Sequence, residues 1–150
     1  MTTLVCVGRL GAAALLDAAV AVLGEPRDWV ALHVVDDAPV AEAAQVIGRL
    51  PGRDHARQEA EARMRGMAVH AAAATVAEAR AWFDRHGGGE TLLRHGRPEQ
   101  EIVQVAAERR AGLVVLGLDP GRRPGPGRLG HTARFVVDHA ETGVLLLPMP

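Results

Sequence analysis

Lysine, serine, asparagine and tyrosine are all absent from this chain of 150 residues. Without lysine there is no Schiff-base amine and no phosphate loop of the Gly-Lys-Ser/Thr kind. Without serine there is no serine nucleophile. Cysteine is nearly absent too. Cys6 stands alone, so no internal disulfide can form, which fits a reducing compartment; within its apolar run it reads as a packed strand residue, not a reactive thiol. Aromatic residues make up 3% of the chain. The formal net charge is −1, so nothing in the bulk charge draws the chain to nucleic acid or to an acidic membrane. No apolar run approaches the ~20 residues of a membrane span. The start, Met-Thr-Thr-Leu-Val-Cys-Val-Gly, lacks the basic head and long apolar core of a signal peptide. The seven histidines never fall in a His-x-x-x-His spacing and there is no Cys-x-x-Cys, which argues against a transition-metal site.

What is present is a folded, single-domain composition. Hydrophobic residues are 48% and charged residues 23%, and the length suits one domain with a real core, spanning 1–150. All 17 basic residues are arginine.

Short apolar runs alternate with helical patterns. Leu4 to Val7 read as a first strand, ended by Gly8. Ala12 to Leu23 are helix formers with Leu15, Leu16, Ala19 and Val22 or Leu23 on one face; Gly24 and Pro26 stop them. Trp29 to Val35 form a second strand, followed by Asp36-Asp37. Two acids there can bind ribose hydroxyls, and an exposed turn is the reading their residue type favours. Val40, Val46, Ile47 and Leu50 outline a short helix broken by Pro51-Gly52. Asp54 to His86 are helical, with Met64, Met67, Ala71, Thr75, Ala79 and Trp82 as a core stripe; Gly66 is a place to bend. Glu90 to His95 make a weak third strand. Proline and acids at 98–101 open a helix with Ile102, Val105 and Ala106 buried and Gly112 as its cap. Leu113 to Leu116, Thr132 to Ala140 and Gly143 to Leu147 complete a strand, a helix and a fifth strand, with Pro148 ending the last.

Alternation of this kind builds a parallel sheet covered by helices on both faces, and such sheets bind ligands outside the carboxyl ends of their strands. Three corners then share one edge: Gly8-Arg9-Leu10, Val35-Asp36-Asp37, and the Gly/Pro/Arg loop from Gly117 to Thr132. Glycine N–H groups at a helix start, with Arg122, Arg123 and Arg128 beside them, suit phosphate. The same residues make an ordinary solvated turn, and the loop alone does not choose between the two. Asp119 can hold magnesium beside phosphates, although a lone aspartate in such a loop is ordinarily a turn residue.

The order and spacing of these pieces resemble a universal stress protein domain. The matching stretches are Leu4-Val5-Cys6-Val7, Ala31 to Asp36, His95-Gly96-Arg97-Pro98 with Ile102 and Ala106, Ala111 to Gly117, and Gly143 to Pro148. The resemblance implies a three-layer α/β/α fold with a five-stranded parallel sheet in the order 3-2-1-4-5. That fold is Rossmann-like, of the adenine nucleotide alpha hydrolase type. The resemblance also implies a cytoplasmic dimer and, in many members, ATP. Nucleotide-binding members carry glycine, two residues, glycine, nine residues, glycine, then serine or threonine. Gly117 and Gly130 match the outer glycines. Pro120 stands at the middle one with Gly121 a residue late, and His131 stands at the hydroxyl with Thr132 a residue late. Gly8 replaces the family's nucleotide-contacting aspartate.

These departures remove a donor and an acceptor. A lost charge-assisted hydrogen bond costs about 1.5–3 kcal/mol, so they point to weak, altered or absent binding rather than tight ATP binding. The residues expected to contact ATP or another adenine nucleotide, with or without magnesium, are Val7, Gly8, Arg9, Val34, Val35, Gly117, Gly121, Arg122, Gly130, His131 and Thr132. No catalytic residue is assigned, and slow ATP hydrolysis is the most the resemblance allows. Two functions stay open: an adenine-nucleotide-binding regulatory module, and a nucleotide-independent dimeric interaction module. A flavoprotein of similar architecture ranks last, since no aromatic near the loops would stack a flavin. The apolar strand Val144, Leu145, Leu146 and Leu147 would lie at a sheet edge and pair with its copy in a homodimer. Neither nucleic acid nor membrane is expected as a partner.

Overall fold

A strand whose every residue is apolar must be covered on both sides, and the computed structural model, which describes residues 1–49, 51–52 and 54–150, is built on that requirement. The elements are β1 (Thr2–Cys6), α1 (Ala12–Leu23), β2 (Trp29–Val35), α2 (Ala38–Gly48), α3 (Asp54–His86), β3 (Gly89–His95), α4 (Pro98–Glu108), β4 (Ala111–Leu118), α5 (His131–His139) and β5 (Gly143–Pro148). The strands form one parallel sheet in the order β3-β2-β1-β4-β5, as the resemblance implied.

Successive side chains of a strand face opposite layers. Leu4, Val30, Leu32, Val114 and Leu116 pack with Ile102 and Val105 of α4 and Val136 of α5. Val5, Ala31, Val115 and Leu147 pack on the other face with Leu15, Leu16 and Ala19 of α1 and Ala79, Trp82 and Phe83 of α3. The register places Leu4 between Val30 and Val114, and Val5 between Ala31 and Val115, so both layers are continuous across the centre. Leu4, Val5, Val114 and Val115 are fully buried, each stabilising the fold by about 1.5–3 kcal/mol relative to exposure.

Helix boundaries follow their punctuation. Gly24 ends α1 at a φ of +83°, its N–H donating to the Val20 carbonyl. The buried face of α1 is Ala12, Leu15, Leu16 and Ala19; Val22 and Leu23 are exposed, so the stripe stops a turn before the helix does. In α4, Pro98 occupies the first turn with Glu99 and Glu101 behind it, where acids favour the positive end of the helix.

Several sequence-based readings shift, beginning with β1, which runs Thr2–Cys6 and not Leu4 to Val7. Gly112 does not cap α4: Arg110, at φ +49°, makes the turn, and Gly112 lies within β4, where a side chain would run into Met1. Gly117 does not end β4, because Leu147 and Pro148 of β5 pair with Gly117 and Leu118. α3 runs unbroken through Gly66, yet only its second half is core. Ala72, Ala79, Trp82 and Phe83 are buried, whereas Ala71 is exposed and Met67 is 67% exposed. A 33-residue helix is about 50 Å long, and strands of five to eight residues cover about a third to a half of that. The first half therefore overruns the sheet and is packed by α2. Leu50, assigned from its spacing to the short helix, lies outside the described residues.

Trp82 anchors the covered half. It is 1% exposed, stacks parallel to Trp29 at 6.3 Å, and donates its indole N–H to Asp17 Oδ1 of α1 at 2.7 Å. His86 also stacks on it, at 4.1 Å.

Candidate functional site

The strand order reverses between β1 and β4, and there the carboxyl ends of β1, β2 and β4 open onto a cleft of about 520 Å³. Helices on opposite faces of the sheet diverge at this point and leave the crevice uncovered. Its walls are apolar: Val7 and Leu10 after β1, Leu15 of α1, Leu32 and Val34 of β2, Leu116 of β4, and Pro98 and Ile102 of α4. Arg9, His33 and Asp36 add polar groups at its margin.

A second chamber of about 340 Å³ adjoins it, with Arg9, Leu10, Gly117, Thr132 and Ala133 common to both. This chamber has a different character. Arg9, Arg122, Arg128 and His131 line it, and Asp119 is its one lining carboxylate. It sits before the N-terminus of α5, whose first N–H groups have no partner within the helix. Gly130 is the N-cap and supplies no side chain to satisfy them. A volume in this range, apolar at one end with a few convergent polar groups at the other, is the usual form of a small-molecule site.

Local chemistry positions each corner. Val7 follows the last residue of β1, and its N–H donates to the Leu32 carbonyl at 2.8 Å, continuing the ladder by one bond. Its carbonyl pairs with His33 Nδ1 at 3.0 Å, which makes Nδ1 the protonated nitrogen and leaves Nε2 as the ring's acceptor when neutral. Asp36 Oδ1 accepts the Ala38 N–H at 3.0 Å, an Asx turn that starts α2. Cys6 lies on the cleft floor, where burial pushes its thiol well above the ordinary range, so it stays protonated. Gly8 is open: a Cβ built there would meet nothing within 4 Å. Gly117 is the reverse, with Met149 and Leu10 already 3.1 and 3.4 Å from where a Cβ would stand.

The loop from 119 to 130 is braced by its own hydrogen bonds. Asp119 Oδ1 accepts the Gly121 N–H at 2.8 Å, and the Asp119 carbonyl accepts the Arg122 N–H at 3.1 Å. Arg122 Nη1 donates to the Gly127 carbonyl at 3.1 Å, and the same guanidinium lies over Gly130, 3.4 Å from a Cβ built there. Glycine at 130 therefore lets a cation approach the start of α5. His131, the first residue of α5, reaches Glu99 of α4 at 3.5 Å; Glu99 is only 8% exposed, so this contact ties the starts of the two helices together.

Most residues singled out from the sequence meet here. Val7, Gly8 and Val34 line the apolar cleft; Arg122, Gly130 and His131 line the charged chamber; Arg9, Gly117 and Thr132 line both. Two do not. Val35 is buried away from the cleft, with its carbonyl accepting the Gly96 N–H at 3.0 Å, because strand alternation gives the cleft Val34 and then Asp36. Gly121 lines neither chamber, and its N–H is already committed to Asp119. Arg123 and Pro120 also stay outside, while Arg128 is inside. Neither His33 nor Glu99 was among the site residues expected from the sequence, where Glu99 counted only as one of the acids that open α4. A histidine two residues before a strand end, and an acid in the first turn of a proline-started helix, are the signals that would have found them.

Among the described residues no helix is long and apolar enough to cross a membrane, and no group of three or more His, Cys, Asp or Glu is placed to hold a metal ion.

The sequence model of the universal stress protein family matches residues 1–148. Universal stress protein E of Photorhabdus laumondii is 35% identical over 57 residues, covering 38% of this chain and 18% of that protein. The chain thus matches under a fifth of that relative's length. A universal stress protein family protein of Arabidopsis thaliana with AMP bound shares the fold at a TM-score of 0.67 and 17% identity, covering all of this chain and 92% of the other. A universal stress protein in complex with cAMP does so at 0.57 and 17%, covering 99% of this chain and 96% of the other.

Proposed function

The chain belongs to the universal stress protein family, and from that premise we propose that it is a regulatory module that binds an adenine nucleotide across the two chambers. One observation carries the reading. An apolar cleft sized for a nucleoside opens directly onto a chamber lined by Arg9, Arg122 and Arg128 at a helix N-terminus. The nucleoside lies among Val7, Gly8, Val34 and Leu116, and the phosphates face Gly117, Arg122, Gly130, His131 and Thr132. That AMP and cAMP are bound by two relatives of the same fold supports the choice of base. The module works in the cytoplasm, where its single thiol stays reduced.

A second reading is favoured by a specific observation. Gly8 offers no side-chain acceptor, Pro120 no N–H, and the Gly121 N–H is already taken by Asp119. A chain that kept the fold and lost the site would be a nucleotide-independent interaction module. Thermal-shift titration of the full chain with ATP, AMP and cAMP separates the two. Ligand at about 100 times its dissociation constant stabilises the native state by about 2.7 kcal/mol, a shift of several degrees for a domain of this size. No shift with any of the three at millimolar concentration would leave the second reading standing.

A further inference from the structure

The charged chamber is unlike a magnesium–nucleotide site in its donor set. Magnesium asks for hard oxygen ligands in near-octahedral geometry, and beside phosphates it is held by one or two carboxylates. The oxygen-bearing side chains here are Asp119 and Thr132. Asp119 already spends Oδ1 on the Gly121 N–H, and a divalent cation beside it would face Arg122 and Arg128 across the same chamber. Glu99, at the start of α4, is turned to His131. The residues present do not fit the metal. They fit what the metal would otherwise neutralise: Arg122 is already drawn over Gly130 by its bond to the Gly127 carbonyl, with fork donors left for phosphate oxygens.

We propose that this chamber takes up a nucleoside polyphosphate as the free polyanion, with arginine in place of a divalent cation, so that magnesium competes with the protein for the phosphates. The proposal rests on the nucleotide reading above and names the form of the ligand. Free ATP carries about two more negative charges than its magnesium complex, and each of them can pair with an arginine of the chamber.

The test is calorimetric titration of the full chain with ATP, once in EDTA and once in saturating magnesium, with adenosine as a phosphate-free control in both buffers. The expected result is an ATP dissociation constant roughly tenfold lower in EDTA, with adenosine unchanged between buffers. In Arg128→Gln, checked for an unaltered melting transition, the difference between buffers shrinks while adenosine affinity is kept. Equal or tighter ATP binding with magnesium overturns the proposal and leaves the nucleotide reading intact. Adenosine binding with no added affinity for ATP in either buffer also overturns it. Failure of ATP and adenosine alike in both buffers removes the nucleotide reading, and this proposal with it.

Discussion

Gly8 is a residue at which the proposed nucleotide binding can be tested directly. It stands at the corner after β1, where nucleotide-binding members of the family carry an aspartate, and it lines the apolar cleft. Nothing lies within 4 Å of a Cβ built there, and its φ is outside the left-handed region, so the backbone accepts a side chain without strain. Gly8→Asp should therefore fold normally and restore one charge-assisted hydrogen bond to the nucleoside. We expect AMP and adenosine to bind about ten- to a hundredfold more tightly, corresponding to about 1.5–3 kcal/mol, by calorimetry. Unchanged affinity with an intact melt would mean that the nucleoside does not lie against this corner. The corner itself was legible, because a glycine after an apolar run marks a strand end. Which neighbouring groups face the cleft was not. Val35 and Gly121 fall outside both chambers, which was not legible because a sequence carries neither the parity of a strand end nor the prior commitment of one N–H to Asp119. His33 and Glu99 were missed for a related reason: their partners, Val7 and His131, are distant in the chain.

At the scale of elements, punctuation was read well and length was not. α1 and β2 have the bounds their Gly, Pro and apolar patterns suggest, and α4 starts where proline and acids announce it. β4 was read short because its two glycines look like stops; pairing with β5 shows Gly117 to be a strand residue, and Gly112 lies where the register against β1 shifts. In α3 the helical period is correct over its whole length, but periodicity cannot say where the sheet beneath it ends. Its stability is accordingly uneven. Trp82 fastens the second half through Trp29, His86 and the bond to Asp17, whereas the exposed Met67 and Val69 of the first half have no such hold. Trp82→Ala should destabilise the domain by about 3–5 kcal/mol in urea denaturation, while Met67→Ala should cost less than about 0.5 kcal/mol. Comparable losses at both positions would mean that the first half of α3 is as deeply packed as the second. Trp82→Phe, which keeps most of the ring and deletes the indole N–H, should fall between them.

At the scale of the whole molecule, strand–helix alternation specified the layers, and the strand order came from family resemblance, because no residue pattern distinguishes 3-2-1-4-5 from its permutations. That order leaves two edges, β3 and β5. β3 carries Glu90, Arg94 and His95, and charge of this kind discourages edge pairing. β5 reads Gly-Val-Leu-Leu-Leu-Pro, with no charge in it. Its one neighbour in the sheet is β4, so its outer backbone groups have no ladder partner among the described residues. An uncharged open edge is the kind that pairs with its own copy about a two-fold axis. We expect sedimentation equilibrium at micromolar concentration to give the mass of two chains, and Leu146→Arg to shift that mass toward one. Since Leu146 also packs on the α4–α5 layer, the variant's circular dichroism must be native-like for the result to count. A wild-type chain that sediments as a monomer would overturn the edge-strand dimer directly, and it would leave the cleft, which is built within one chain, untouched.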